Sequence, residues 1–370
     1  MIIKNAKVFS EEGTFEEKNI IMDGEYFADS TTDTREFDAS GCYIIPGLID
    51  IHFHGCVGHD FCDGTEESIQ AIADYELSCG VTTIIPASMT LSEEILTTVY
   101  KAAAKHKNEK GAELVGINME GPFVSTAKKG AQNAAFIHKP DAEMFHRLNA
   151  VSGHKIKHVA LAPEEPGALE FIEKVKQDTV ISIAHTTADY DTAKKAIEAG
   201  ATHVTHLYNA MPPFTHRAPG VIGAAADNDG VFVELICDGI HIHPSAVRTT
   251  FKIFGDDRIC LISDSMEATG MPDGEYSLGG QKVIKRGNRA TLVDGTIAGS
   301  ATNLMDCVRT AIIQMHVPME SAIKCATANP AKSIGIYDQY GSISTGKYAN
   351  CVVLDHDLNI KAVFLKGSPV

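Results

Sequence analysis

The sequence predicts an α/β fold, a (β/α)8 barrel of the TIM type carrying a small β-sandwich-like domain made from both chain ends. Three observations lead there. Eight short apolar runs recur at 47–54, 82–87, 114–120, 158–162, 180–185, 203–207, 231–237 and 258–264; helix-like segments lie between them; and candidate metal ligands stand at the ends of five of the eight. Strand and helix in regular alternation imply a parallel sheet, and eight such units imply a barrel.

Taken in order, residues 1–8 read as a short strand followed by the acidic pairs Glu11-Glu12 and Glu16-Glu17, without the long apolar core of a signal peptide. Residues 1–45 and 338–370 both show short alternation broken by Gly and Asp, as in Asn350-Cys351-Val352-Val353-Leu354-Asp355. They are expected to pair into one discontinuous β-domain beside a barrel at 46–337. The first barrel run ends in His52-Phe53-His54-Gly55. Side chains two apart on a strand point the same way, and two imidazoles facing a core need a partner, so the pair suggests a metal site. Segments 66–79, 93–107, 168–176 and 189–199 read as amphipathic helices, the last closed by Gly200 as by a C-cap. Turns at Gly279-Gly280, Arg286-Gly287 and Asp294-Gly295 make 274–296 a β-hairpin insertion after the eighth strand.

With 370 residues, 44% of them hydrophobic, the chain can bury a large core. A net charge of −16 argues against nucleic acid or anionic membranes as partners, and no apolar stretch reaches membrane-spanning length. Nine cysteines, scattered and without a C-x-x-C, form neither a disulfide framework nor a thiolate zinc site, which fits a reducing cytoplasm. Cys56, Cys237, Cys260 and Cys351 read as small buried hydrophobes.

The ligand candidates are His52, His54, Glu120, His185, His206 and Asp264. Strand C-termini of a barrel converge on one face, so residues far apart in sequence can surround one ion. Nitrogen and carboxylate donors without thiolate suit zinc, iron, manganese or cobalt, so the set names a class of divalent ion without naming the ion. Of the other histidines, His203 stands three before His206 and reads as a packing residue on the opposite face. His158 begins its strand, at the wrong end for a barrel site. His106, His138, His146, His154, His316 and His356 lie in polar segments and read as surface, while His59 and His243 stay open.

The assembled pattern resembles the amidohydrolase superfamily and, within it, the N-acetylglucosamine-6-phosphate deacetylases. The likeness is carried by Pro46-Gly47-Leu48-Ile49-Asp50, Met119-Glu120-Gly121-Pro122-Phe123, Lys129-Gly130-Ala131 and Ala184-His185-Thr186. It continues through Thr205-His206-Leu207-Tyr208-Asn209-Ala210-Met211-Pro212, Cys237-Asp238-Gly239-Ile240-His241, Ser263-Asp264 and Ile297-Ala298-Gly299-Ser300. The resemblance implies that Glu120, His185 and His206 bind the principal metal, that Asp264 joins them as acid/base, and that His52 and His54 complete a second site. Many two-metal relatives bridge their ions with a carboxylated lysine ending the fourth strand; here Lys155 and Lys157 precede that strand and Ala162-Pro163-Glu164 ends it, which leaves Glu120 as the carboxylate.

It further implies hydrolysis of the acetamide of an N-acetyl-D-glucosamine 6-phosphate to acetate and the amino sugar phosphate, in amino-sugar catabolism. Arg217 would meet the phosphate, its guanidinium matching the oxygens in a bidentate fork, either within its own chain or across subunits of a homodimer or larger homo-oligomer. Asn209, Ala210 and His241 would line the same pocket, with Ala131, Asp238, Ile297, Ala298 and Gly299 among the substrate contacts. Gln132 stands where the family usually has a histidine; it can bond a sugar hydroxyl or acetyl oxygen but carries no charge. The alternatives are the galactosamine epimer's deacetylase or another amidohydrolase.

Overall fold

Each of the eight apolar runs forms strand in the computed structural model, which describes residues 1–370. β-Branched residues occur in every one of them, and both faces are buried, as parallel strands covered by helices require. Ala87–Ser88, Ile117–Glu120, Ile156–Leu161, Val180–Ile183, His203–Val204, Phe232–Ile236 and Ile259–Ile262 pair in that order as a seven-stranded parallel sheet. Leu48–Asp50, Val81–Ile84 and Glu113–Leu114 form a second parallel sheet, so the second and third runs contribute to both. The Asp264 N–H donates to the His52 carbonyl at 2.9 Å and the His54 N–H to the Ser265 carbonyl at 2.7 Å, which sets the end of the last strand against the end of the first.

Helices Glu66–Ser78, Glu93–Lys105, Ala168–Val175 and Tyr190–Ala199 occupy the amphipathic segments. Three of them start at side-chain caps, Thr65, Ser92 and Asp189, each accepting from a first-turn N–H, and Gly200 caps the last at φ 135°. Further helices at Ala142–Val151, Gly220–Ala226, Pro244–Phe254 and Leu304–Ile313 cover the remaining strands.

The chain ends share an eight-stranded sheet in which Tyr43–Pro46 lies between Ile2–Phe9 and Cys351–Leu354, its core formed by residues such as Ile3, Val8, Ile44, Val353 and Phe364. The next strand, Leu48–Asp50, already belongs to the parallel sheets. Gly47 makes that passage possible, because a Cβ there would sit 2.1 Å from Thr82 Oγ1. The insertion has three antiparallel strands, Gly274–Leu278, Gln281–Arg286 and Arg289–Leu292, one more than a hairpin. Its Gln281 amide donates to the Ala131 carbonyl, so it leans over the C-terminal ends of the parallel strands.

Candidate metal centre and its cavity

The six ligand candidates meet at the strand ends. His52 and His54 follow Leu48–Asp50, Glu120 closes its strand, and His185, His206 and Asp264 each stand two residues beyond theirs. Those three have φ of 44°, 28° and 49°. Left-handed backbone is costly for side chains of this size and persists where the surroundings over-determine it; here it turns the chain out of the strand above the mouth.

The Nε2 atoms of His52, His54, His185 and His206 lie 3.5, 3.4, 3.0 and 3.1 Å from the Glu120 carboxylate. Asp264 Oδ1 is 3.3 Å from His54 Nε2 and 3.8 Å from His52 Nε2. The opposite ring nitrogens are tied down: His52 Nδ1 to Glu234 Oε2 at 2.8 Å, His54 Nδ1 to the Ala87 carbonyl at 3.2 Å, His185 Nδ1 to the Lys128 carbonyl at 2.9 Å. An imidazole that donates through Nδ1 presents a lone pair at Nε2 when neutral. Lone pairs facing a carboxylate repel unless a cation or a proton lies between them, and buried His52 Nε2 has no hydrogen-bond partner. The donor set therefore fits a divalent ion. Glu120, His185 and His206 form one group with ligand atoms within 4.8 Å of one another, and His52, His54 and Glu120 form another.

Electrostatics agree with that fit. Burial opposes protonation of His52 and His54, but the carboxylates of Glu234, Glu120 and Asp264 override it and raise both above the usual histidine range. Burial would likewise raise Glu120 and Asp264; the surrounding imidazoles hold both below the usual carboxylate range. Positive charge is favoured at this point of the molecule.

Above the ligands is a cavity of about 390 Å³. Ala131, Asn209, Ala210, His241, Ile297 and Gly299 line it; Ala298 is wholly buried and does not. Gly299 is required: at φ 65° a Cβ would stand 2.9 Å from the Asp264 carbonyl oxygen, which accepts the Ser300 N–H at 2.7 Å. Asp238 faces His241 rather than the cavity, accepting from Nδ1 at 2.7 Å. Burial opposes a charged His241, and that carboxylate raises its pKa nonetheless. Gln132 is buried, its carbonyl oxygen taking the Thr90 N–H at 2.7 Å and its amide donating to Glu120 Oε2 at 2.7 Å. It also lines the cavity, beside Glu120.

Arg217 lies in the exposed stretch 213–218 and does not line the cavity. The cation that does is Lys128, which the sequence reading passed over although it immediately precedes Lys129-Gly130-Ala131. Leu278 and Thr296, from the insertion, were missed for another reason: nothing local marks which loop folds over a mouth. Two histidine assignments are corrected. His203 does not simply pack, since its strand ends at Val204 and the left-handed His206 breaks the alternation on which the parity argument rests; His203 Nε2 points at Glu234 Oε1, 3.3 Å away. His106 caps a helix C-terminus and is buried, not on the surface. Of the open cases, His243 caps Pro244–Phe254 by accepting the Ser245 N–H, and His59 bonds the Ser68 hydroxyl.

Comparison with known proteins places these features in context. The amidohydrolase family model matches residues 43–370. An N-acetylglucosamine-6-phosphate deacetylase of Bacillus subtilis is 39% identical over 331 residues, 88% of this chain and 84% of that protein. An N-acetylgalactosamine-6-phosphate deacetylase of Escherichia coli O157:H7 is 31% identical, covering 99% of this chain and 98% of the relative. Among solved structures, a mutant of the Mycobacterium smegmatis N-acetyl-D-glucosamine-6-phosphate deacetylase, in complex with N-acetyl-D-glucosamine-6-phosphate, superposes with a TM-score of 0.93 at 30% identity over 100% of this chain and 98% of the other.

Proposed function

The chain belongs to the amidohydrolase family, and we propose that it hydrolyses the acetamide of N-acetyl-D-glucosamine 6-phosphate, giving D-glucosamine 6-phosphate and acetate. The observation that carries this reading is the convergence of four imidazole nitrogens on Glu120, with Asp264 beside them, beneath a cavity in the size range of small-molecule sites. The named deacetylases among its relatives support the substrate class.

In this reading Glu120, His185 and His206 hold the principal divalent ion and His52 and His54 a second, zinc foremost and iron, manganese or cobalt as alternatives. When bound, such an ion supplies Lewis acidity toward the acetamide oxygen and brings an attacking water's pKa toward neutral. Asp264, kept ionised by its imidazole neighbours, takes the proton from that water and delivers it to the departing nitrogen. His241, oriented by Asp238, turns its Nε2 toward the cavity, where the protonated ring donates to substrate oxygen. Gln132 holds Glu120 in place. Lys128 meets the phosphate from within the chain, and Arg217 from a second copy in a homodimer. The eight strands close as a (β/α)8 barrel over 46–337, with 1–45 and 338–370 as the β-domain, and the enzyme works in the cytoplasm. No helix is long and apolar enough to cross a membrane.

An acetate-release assay on the gluco and galacto acetamido sugar phosphates and their unphosphorylated forms, with metal analysis of the same preparation, tests the proposal. The phosphorylated gluco substrate should be turned over fastest. Preference for the galacto epimer would move the assignment to the second kind of relative, and preference for an unphosphorylated sugar would remove the sugar-phosphate reading.

A further inference from the structure

Beneath the ligand set lies a second group of buried polar residues that the proposed chemistry does not use: Glu234, His203 and His158, all at 0% exposure. Glu234 lies on Phe232–Ile236, between the strands that lead to His206 and Asp264. One of its oxygens, Oε2, accepts two hydrogen bonds, from His52 Nδ1 at 2.8 Å and from the His206 backbone N–H at 3.0 Å. The other faces His203 Nε2 at 3.3 Å, and the His158 ring packs edge-on against His203 with centroids 4.6 Å apart.

These two bonds reach the two halves of the ligand set. The first fixes the His52 tautomer, so that its otherwise unpartnered Nε2 offers a lone pair to the centre. The second holds the peptide of His206 at a residue whose φ of 28° needs outside restraint, and that residue belongs to the other ligand group. We propose that Glu234 is a positioning residue that couples the two metal sites, orienting His52 through its side chain and His206 through its backbone. This rests on the ligand assignment under Proposed function. It goes further in stating that a residue touching neither ion sets the affinity of both, whereas an ordinary outer partner would serve one ligand.

The test is a competitive-chelator titration with zinc on four full-length proteins: wild type, Glu234→Gln, His52→Asn and the double variant, with circular dichroism to confirm folding. Cobalt(II) spectra supply a geometric signature. Glu234→Gln should weaken zinc binding about ten- to a hundredfold, the usual cost of losing an outer-shell partner. Saturating zinc should then restore turnover toward wild type with little change in KM. In the His52→Asn background, Glu234→Gln should still weaken the remaining ion several-fold and alter the cobalt spectrum, because a neutral amide oxygen holds the His206 N–H less strongly than the carboxylate does. If the double variant binds zinc as tightly as His52→Asn, Glu234 acts through His52 alone and the coupling is wrong. If wild type binds a third ion that His203→Phe removes, the lower cluster is itself a metal site and the proposal also fails. A wild type that binds no ion overturns the ligand assignment instead. Should Glu234→Gln not fold, Glu234→Asp, which keeps the charge but withdraws the oxygen, carries the same comparison.

Discussion

The His52–His54 pair and the His185–His206 pair face one carboxylate but are held in different ways. The first pair follows a single strand, and each Nδ1 is anchored inside the molecule, on Glu234 and on the Ala87 carbonyl. The second comes from two strand ends at left-handed φ, with His185 anchored on the loop carbonyl of Lys128 and His206 Nδ1 without a partner, and both line the cavity, as His54 does but His52 does not. Both rings of the inner pair, His52 and His54, are thus fixed at Nδ1 by groups on other strands, whereas in the outer pair, His185 and His206, only His185 is fixed there. Loss of the inner pair still leaves Glu120, His185 and His206, a three-ligand open site of the kind that supports hydrolysis. Loss of one outer ligand breaks that group and leaves only His52, His54 and Glu120.

Breaking the outer pair should have the largest effect. His185→Ala or His206→Ala should abolish tight metal binding and with it activity; wild-type metal content after dialysis in either variant would remove that residue from the ligand set. Asp264→Asn comes next, with metal content nearly unchanged and turnover down by about a hundredfold to ten-thousandfold, the range for a lost acid/base. Near-normal turnover there would assign proton transfer elsewhere. Replacing His52 and His54 together by uncharged polar residues should lower the metal content per chain yet leave measurable activity. Complete inactivity at unchanged metal content would show that the inner pair acts on the substrate instead.

A smaller effect separates the two candidate phosphate cations. A charge-assisted hydrogen bond is worth about 1.5–3 kcal/mol, or about ten- to a hundredfold in kcat/KM. Lys128→Ala should lose that much on the phosphorylated sugar and almost nothing on the unphosphorylated one. Arg217→Ala should do the same only if a second copy is present. Mixed dimers of Arg217→Ala and Asp264→Asn chains should then regain activity, because one of their two sites has both residues intact; dimers that regain none would confine Arg217 to the surface.

The smallest effect is on stability. His52 and His54 have raised pKa values in the folded chain, so their contribution is complete below the ordinary histidine value near 6.5 and is lost as pH rises through the raised values. Glu120 and Asp264 have lowered values, so theirs is present above the ordinary carboxylate range and is lost as pH falls. The Tm of chelator-stripped protein should therefore decline from about pH 6.5 upward, and added zinc should raise Tm more at about pH 8.5 than at about pH 6.5, since the ion takes over from the protons. A zinc-induced shift independent of pH would contradict this account of the inner pair.

The local part of the site was legible because its signals are local. His52-x-His54 follows directly on one strand, the apolar runs announce strands wherever β-branched residues cluster, and Gly200 marks a helix end by its own backbone preference. Parity failed at His203 because counting residues assumes a straight strand, and the chain leaves strand geometry at Val204. Gln132 reads as a substrate contact from its chemistry and does line the cavity; only the fold shows that it also bonds Thr90 and Glu120.

By itself, then, the sequence determined which residues are candidates for the chemistry and which elements they end, since residue type and periodicity act over a few positions. The tertiary structure decided what each residue faces. The positions of Lys128 and the insertion over the mouth, the exposure of Arg217, and the linkage of His52 to His206 through Glu234 depend on contacts between segments distant in the chain. Such contacts arise when packing brings strand ends and loops together, and no short-range pattern encodes them.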